Sequence, residues 1–268
     1  MRRPLMSESK VLFEEHGKVA VIKINRPEKR NALDRETVLM INDCTEKAKD
    51  KKYKAVILTG SGDSFCAGAD LTEFSRPEDL ESAISVKESL HNGYHIGLGN
   101  LIKMDKPVFA AVEGPCAGIG CAFLLSCDVV VMNKSSFFQV GFSKIALIPD
   151  GGTNWLLTRA VGYQKAFRMA AEAKRVGADE CLDVGICSEV VEDGKAFEET
   201  LKLAEHYAEF APGAIGKTKN LMRDGFDRSY LQNLDEEAEA QENFVGSPDN
   251  LEGVLAFVEK RKPNFKGE

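Results

Sequence analysis

Two glycine-bearing loops, Phe65-Cys66-Ala67-Gly68-Ala69-Asp70 and Gly114-Pro115-Cys116-Ala117-Gly118-Ile119-Gly120, each follow a β-rich run and constrain the fold more than any other feature of the chain. Glycine and alanine let backbone N–H groups approach a ligand closely. Two convergent N–H donors stabilise the negative oxygen that develops when a thioester is enolised or attacked. A single glycine turn after a strand also reads as a plain tight connection. Two such loops, in order, define a much narrower class.

The segments around the loops alternate strand with helix. Residues 19–25 alternate apolar and polar side chains, as in a strand with one buried face, and Arg26-Pro27 ends it. Asp34 is placed to cap a helix over 35–49 that carries Val38, Ile41 and Thr45 on one face. Residues 55–58, 106–112 and 128–132 read as buried strands, with a long polar helix over 78–103 and a buried helix over 119–126 between them. This order predicts an α/β core with parallel pairing. Beyond about Gly162 only 188–191 is strand-like, and 195–210, 216–224, 231–244 and 250–260 carry apolar residues at helical spacing. A stripe left over after those helices pack would serve either to cover the sheet or to join subunits.

Several function classes are set aside by composition. With 43% hydrophobic and 29% charged residues the chain reads as an ordinary globular protein, and a net charge of −7 argues against a general nucleic-acid surface. The opening residues lack the apolar core of a signal peptide and no apolar run is long enough to span a bilayer, so no membrane partner is expected. Seven cysteines, an odd number without a Cys-x-x-Cys pair, fit reduced thiols in a cytoplasmic setting. His91 and His95 stand four apart on a predicted helix but lack a third ligand, so no metal is expected. The second loop runs Gly-x-x-x-Gly-x-Gly and is not a dinucleotide fingerprint, and no serine sits in a nucleophile elbow.

Five segments in order resemble the enoyl-CoA hydratase/isomerase (crotonase) superfamily: Asn25-Arg26-Pro27-Glu28-Lys29-Arg30-Asn31-Ala32-Leu33, the loop 65–71, residues 112–121, Ile148-Pro149-Asp150-Gly151-Gly152-Thr153, and Ala256-Phe257-Val258-Glu259-Lys260-Arg261. The resemblance implies a crotonase-like spiral of β-β-α units over 1–200 and a C-terminal helical oligomerisation region over 201–268, assembled as a homotrimer or a hexamer. It implies an oxyanion hole made by the Ala69 and Ile119 N–H groups, and an acyl-CoA thioester substrate with no further cofactor. The two glutamates used by the family's hydratases fall here on Ala122 and Phe142. Asp150 stands where the family's isomerases place a single acid/base carboxylate, although an N-cap for a helix beginning near Thr153 is its other reading.

By the same likeness Lys29 and Arg30 lie near the CoA phosphates, and Ala67, Asp70, Leu71, Gly118 and Phe142 line the bound substrate. Phe257 and Lys260 reach it from the last helix, in the family often that of a neighbouring subunit. For Lys29, Arg30 and Lys260 the alternative is a solvated surface charge, and Asp70 also reads as hydrogen-bonded within its own loop. The expected activity is a 3-enoyl-CoA to 2-enoyl-CoA double-bond shift, on a fatty acyl or a ring-derived ester as in the phenylacetate route. A 2-enoyl-CoA hydratase and a non-catalytic acyl-CoA-binding or assembly protein are the alternatives.

Overall fold

The computed structural model of the protein describes residues 9–74 and 85–267. Nine strands are found among these residues: β1 (Val11–His16), β2 (Val19–Ile24), β3 (Ala55–Gly60), β4 (Val108–Val112), β5 (Pro115–Ala117), β6 (Val129–Asn133), β7 (Phe137–Gln139), β8 (Val176–Gly177) and β9 (Glu189–Val191). A six-stranded sheet has the order β1-β2-β3-β4-β6-β9, antiparallel only between β1 and β2 and parallel from β2 onward. A second sheet pairs β5 with β7 in parallel and β7 with β8 antiparallel.

The helices are α1 (Arg35–Lys47), α2 (Val86–Ser89), α3 (His95–Lys103), α4 (Gly120–Leu125), α5 (Thr153–Val161), α6 (Tyr163–Glu172), α7 (Ala178–Asp183), α8 (Ala196–Tyr207), α9 (Pro212–Asp224), α10 (Tyr230–Phe244) and α11 (Pro248–Glu259). Asp34 caps α1 as expected: its side chain accepts the Thr37 N–H at 2.8 Å, while Thr37, Val38, Ile41, Asn42 and Thr45 form the buried face. The expected helix over 78–103 begins partly outside the described residues. From Val86 onward it is divided by a π-helical turn, Leu90–Tyr94, between α2 and α3.

Strand β2 differs from its one-faced expectation. Ile22 and Ile24 enter the main core with Val56, Leu58 and Val108, whereas Val19 and Val21 join Ala55, Ile57, Phe109, Ala111 and Ala204 in a second cluster. Both faces are therefore dry, because α8 lies on the side that the alternation assigned to solvent. Burial of each such aliphatic side chain contributes roughly 1.5–3 kcal/mol. Residue 200, the expected end of the core, lies inside α8.

The C-terminal helices form where helical spacing predicts them, but α10 and α11 bury little. Ala240 is the buried residue of α10, and α11 buries Asp249 and Ala256. Leu231, Leu251, Val254 and Val258 stay exposed. All seven cysteines are free thiols, and six of them are buried. No helix among the described residues is long and apolar enough to cross a membrane.

Candidate active site

The first loop is held by the segment that precedes α1. The Leu33 N–H donates to the Gly68 carbonyl (2.8 Å), the Asp70 N–H to the Leu33 carbonyl (2.9 Å) and the Ala67 N–H to the Arg30 carbonyl (3.0 Å). It is also tied to the second loop: the Phe65 and Cys66 N–H groups both donate to the Pro115 carbonyl (3.1 Å), and the Ala117 N–H donates to the Cys66 carbonyl (2.8 Å). Strand β7 holds the second loop from the other side, where the Gly118 N–H donates to the Gln139 carbonyl at 3.1 Å.

Glycine is required where the loops meet. Gly68 (φ 104°) and Gly118 (φ 55°) occupy the left-handed half of the map. A Cβ at Gly68 would stand 3.1 Å from the Ala117 carbonyl oxygen, and one at Gly118 would stand 3.4 Å from the Gly68 Cα. The contact brings Ala69 and Ile119, the next residue in each loop, into one neighbourhood. Neither of their N–H groups has an acceptor among the described residues, whereas those of Asp70 and Gly118 are bonded within the fold. Two amides without an acceptor in the chain thus lie at one junction, Ala69 in a half-buried residue and Ile119 in a buried one at the start of α4, where a helix leaves its first N–H groups unpaired.

Asp150 sits beside that junction. A Cβ at Gly151 (φ 60°) would stand 2.4 Å from Ile119 Cδ1, 3.0 Å from Ala122 Cβ and 3.1 Å from Leu98 Cδ1, so the turn after Asp150 packs on the second loop. The N-cap of α5 is Gly152, and no side chain caps that helix. The Asp150 backbone carbonyl accepts the Thr153 N–H at 3.0 Å, while its side-chain Oδ1 is buried with no hydrogen-bond partner. Desolvation holds its pKa above the ordinary carboxylate value. Geometry thus disfavours the capping reading. Ala122 and Leu98, which meet the Gly151 turn, are buried; Phe142 is 8% exposed, and Ile145, Leu147 and Ile148 precede Asp150 in the chain as exposed apolar residues.

The other expected contacts divide. Lys29 and Arg30 lie in an exposed tight turn, with Arg30 at φ 51°, and neither forms an ion pair among the described residues. Ala67 is half-buried and Leu71 is 52% exposed. Asp70 is buried, pairs with Arg26 at 2.9 Å and accepts the Thr72 hydroxyl at 2.6 Å, as its loop-bonded reading anticipates. Phe257 is 85% exposed and Lys260 ends α11 in the left-handed region, both on the C-terminal helices. Glu113 is engaged elsewhere, accepting the Asn133 amide and the Ala196 N–H at the start of α8. His91 and His95 meet edge to face at 5.2 Å.

Two contributors escaped sequence reasoning. Arg26 stands inside a matched segment, but nothing in its neighbours announces Asp70 as its partner 44 positions away. Tyr94 donates to the Leu33 carbonyl at 3.4 Å from the end of the π-helical turn, which no apolar periodicity signals.

The chain as a whole matches a known family. The sequence profile described as "Enoyl-CoA hydratase/isomerase" matches residues 14–268. The chain is 33% identical over 262 residues to a probable enoyl-CoA hydratase of Rhodobacter capsulatus, covering 98% of this chain and 100% of that one. It is 32% identical to the 1,2-epoxyphenylacetyl-CoA isomerase of Escherichia coli, over 93% of this chain and 95% of that protein. A crystal structure of an enoyl-CoA hydratase from a Polaromonas species superposes with a TM-score of 0.90 at 29% identity, covering 95% of this chain and 99% of the other. The chain belongs to the enoyl-CoA hydratase/isomerase family and has the crotonase fold.

Proposed function

We propose that the protein moves a double bond within an acyl-CoA thioester, converting a 3-enoyl-CoA to a 2-enoyl-CoA. The observation that carries this reading is the half-buried Asp150 carboxylate, whose Oδ1 is buried without a hydrogen-bond partner, beside two free amides. The thioester oxygen accepts hydrogen bonds from the Ala69 and Ile119 N–H groups, and each such donor lowers the cost of the enolate by about 3 kcal/mol. Asp150 takes the proton from C2, the dienolate forms, and the same carboxyl group returns a proton at C4. An upward pKa suits that second step, since the protonated form must persist while the dienolate is present.

Hydration is the competing reading, favoured by the names of several relatives. It needs a water held and deprotonated on one side of the double bond while a proton is delivered on the other, work usually shared by two carboxylates. Ala122 and Phe142 supply neither.

In this reading Lys29 and Arg30 meet the CoA phosphates, and Ala67, Asp70, Leu71, Gly118 and Phe142 wall the substrate, with Asp70 contributing through its loop. No cofactor beyond the substrate's own CoA is used, and no metal. The exposed apolar surface of the C-terminal helices supports a homotrimer or hexamer in which 201–268 joins subunits and Phe257 and Lys260 reach a CoA site. The free, mostly buried thiols support a cytoplasmic setting.

The deciding experiment compares 3-enoyl-CoA isomerisation with 2-enoyl-CoA hydration by ultraviolet absorbance of the conjugated thioester. Isomerisation is expected to dominate. Efficient hydration of crotonyl-CoA without isomerisation would overturn the proposal.

A further inference from the structure

The segment that carries Ala69 is bonded to a side chain from outside its own loop. Residues 32–34 and 68–70 lie side by side through the Leu33–Ala69 bridge, and Arg26 spans both segments. Its Nη1 donates to the Ala32 carbonyl, and its Nη2 lies 2.9 Å from Asp70 Oδ2 and 3.3 Å from Asp34 Oδ2. Arg26 and Asp70 are 8% and 6% exposed, so this fork is held in a largely dry setting, where a planar guanidinium fixes geometry in a way a point charge does not. Asp34 is anchored in turn by Lys10 at 2.6 Å and by its cap bond to Thr37.

A third support arrives from the helical side. The π-helical turn Leu90–Tyr94 and the start of α3 pack close to α1: the Asn42 amide donates to the Gly93 carbonyl at 3.0 Å, and a Cβ at Gly97 in α3 would stand 2.7 Å from Asn42 Oδ1. The extra residue in that turn sets the register that places the Tyr94 hydroxyl on the Leu33 carbonyl, and π-helical turns of this kind are frequent at functional sites.

We propose that Arg26 and Tyr94 are positioning residues that clamp the Leu33–Ala69 pair from two sides and set the direction of the Ala69 N–H toward the substrate oxygen. The clamp rests on the oxyanion reading given above. Neither side chain needs to touch the substrate, because each acts through the backbone that carries the donor. A misdirection of a few tenths of an ångström in one donor weakens transition-state stabilisation more than ground-state binding.

The test uses 4-dimethylaminocinnamoyl-CoA, whose absorption moves to longer wavelength when its thioester carbonyl is polarised. It is applied to the full-length wild-type protein, Arg26→Lys and Tyr94→Phe. Wild type is expected to red-shift the bound probe. Arg26→Lys is expected to lose at least about half of that shift and Tyr94→Phe about a quarter, with probe Kd changed less than about threefold and isomerase kcat lowered about tenfold and about threefold. A wild-type red shift retained in full by both variants would overturn the clamp and leave the oxyanion reading intact. No red shift in wild type would instead remove the oxyanion reading on which the clamp depends. Should Arg26→Lys fail to fold in a thermal melt, Tyr94→Phe decides alone, because it removes a hydroxyl and keeps the ring.

Discussion

Asp70 and Asp150 are both withdrawn from water near the same loop junction, yet the protein treats them in opposite ways. Asp70 is saturated: Thr72 and then Arg26 hold its pKa below the ordinary value, and its charge is spent on fixing a loop. Asp150 is starved: burial raises its pKa and one of its oxygens has no partner. A partnered buried carboxylate strengthens the fold, whereas an unpartnered one weakens it and persists where chemistry requires it. Asp70 is buried and Asp150 half-buried, but it is the hydrogen bonds each carboxylate makes that set the two acids apart.

The contrast breaks most sharply at Asp150→Asn. This substitution removes the proton acceptor and almost no volume, so isomerase kcat is expected to fall at least about a hundredfold with CoA-ester binding within a few-fold. Steady-state kinetics on a folded variant checks it, and turnover near wild type would end the assignment.

Asp70→Asn addresses the other member. It leaves the Arg26 guanidinium short of a charge partner in a dry site, and the expected cost is about 2 kcal/mol, below the 3–5 typical of breaking an isolated buried pair because Asp34 remains 3.3 Å away. Urea denaturation measures this, and an unchanged midpoint would show that Asp70 is not the structural acid described.

Gly151→Ala sharpens the geometric half. The new methyl group would stand 2.4 Å from Ile119 Cδ1 at a φ of 60°, displacing the Asp150 turn against the second loop. About a tenfold fall in kcat with little change in KM is expected. A variant with wild-type kcat would uncouple the turn from the site.

The smallest expected effect is one of stability against pH. A carboxyl whose folded pKa is raised contributes stability below its unfolded pKa and loses it as pH rises through the folded value, so at neutral pH ionised Asp150 is a burden. Asp150→Asn is therefore expected to melt slightly higher than wild type at pH 7, with the gain vanishing in acid. Asp34 runs the other way. Its pKa is lowered to about 2, so its contribution is present above the unfolded value and is lost as pH falls toward about 2. Thermal melts across pH would reveal a fault in this comparison if Asp150→Asn were less stable at neutral pH.

Much of this arrangement is legible in the chain because it is local. The Asp34 cap, the buried face of α1, the two glycine loops and the C-terminal helices all rest on residues within a few positions of one another. What escapes is set by distant partners. The second buried face of β2 depends on α8, more than 170 residues away, and strands β5, β7 and β8 are only two or three residues long, too short to show a period. The Arg26 clamp depends on Asp70, and the reach of Tyr94 on one extra residue in a helical turn. Asp150 is intermediate: its position resembles an acid/base, but only its empty hydrogen-bonding capacity distinguishes it from a cap.

The thiols beneath the loops offer a view of how often the site falls out of register. Cys66 and Cys116 face each other across the bridge that joins the two loops, both fully buried, and burial pushes the Cys66 thiol up to about 12. In the closed state they are chemically silent, since alkylation requires an accessible thiolate. The Cys66 N–H and carbonyl carry two of the hydrogen bonds that tie the loops together, so an opening that exposes these thiols loosens that joint. Native-state labelling of these thiols by iodoacetamide, followed residue by residue, therefore works as a clock for breathing of the junction, independent of any substrate.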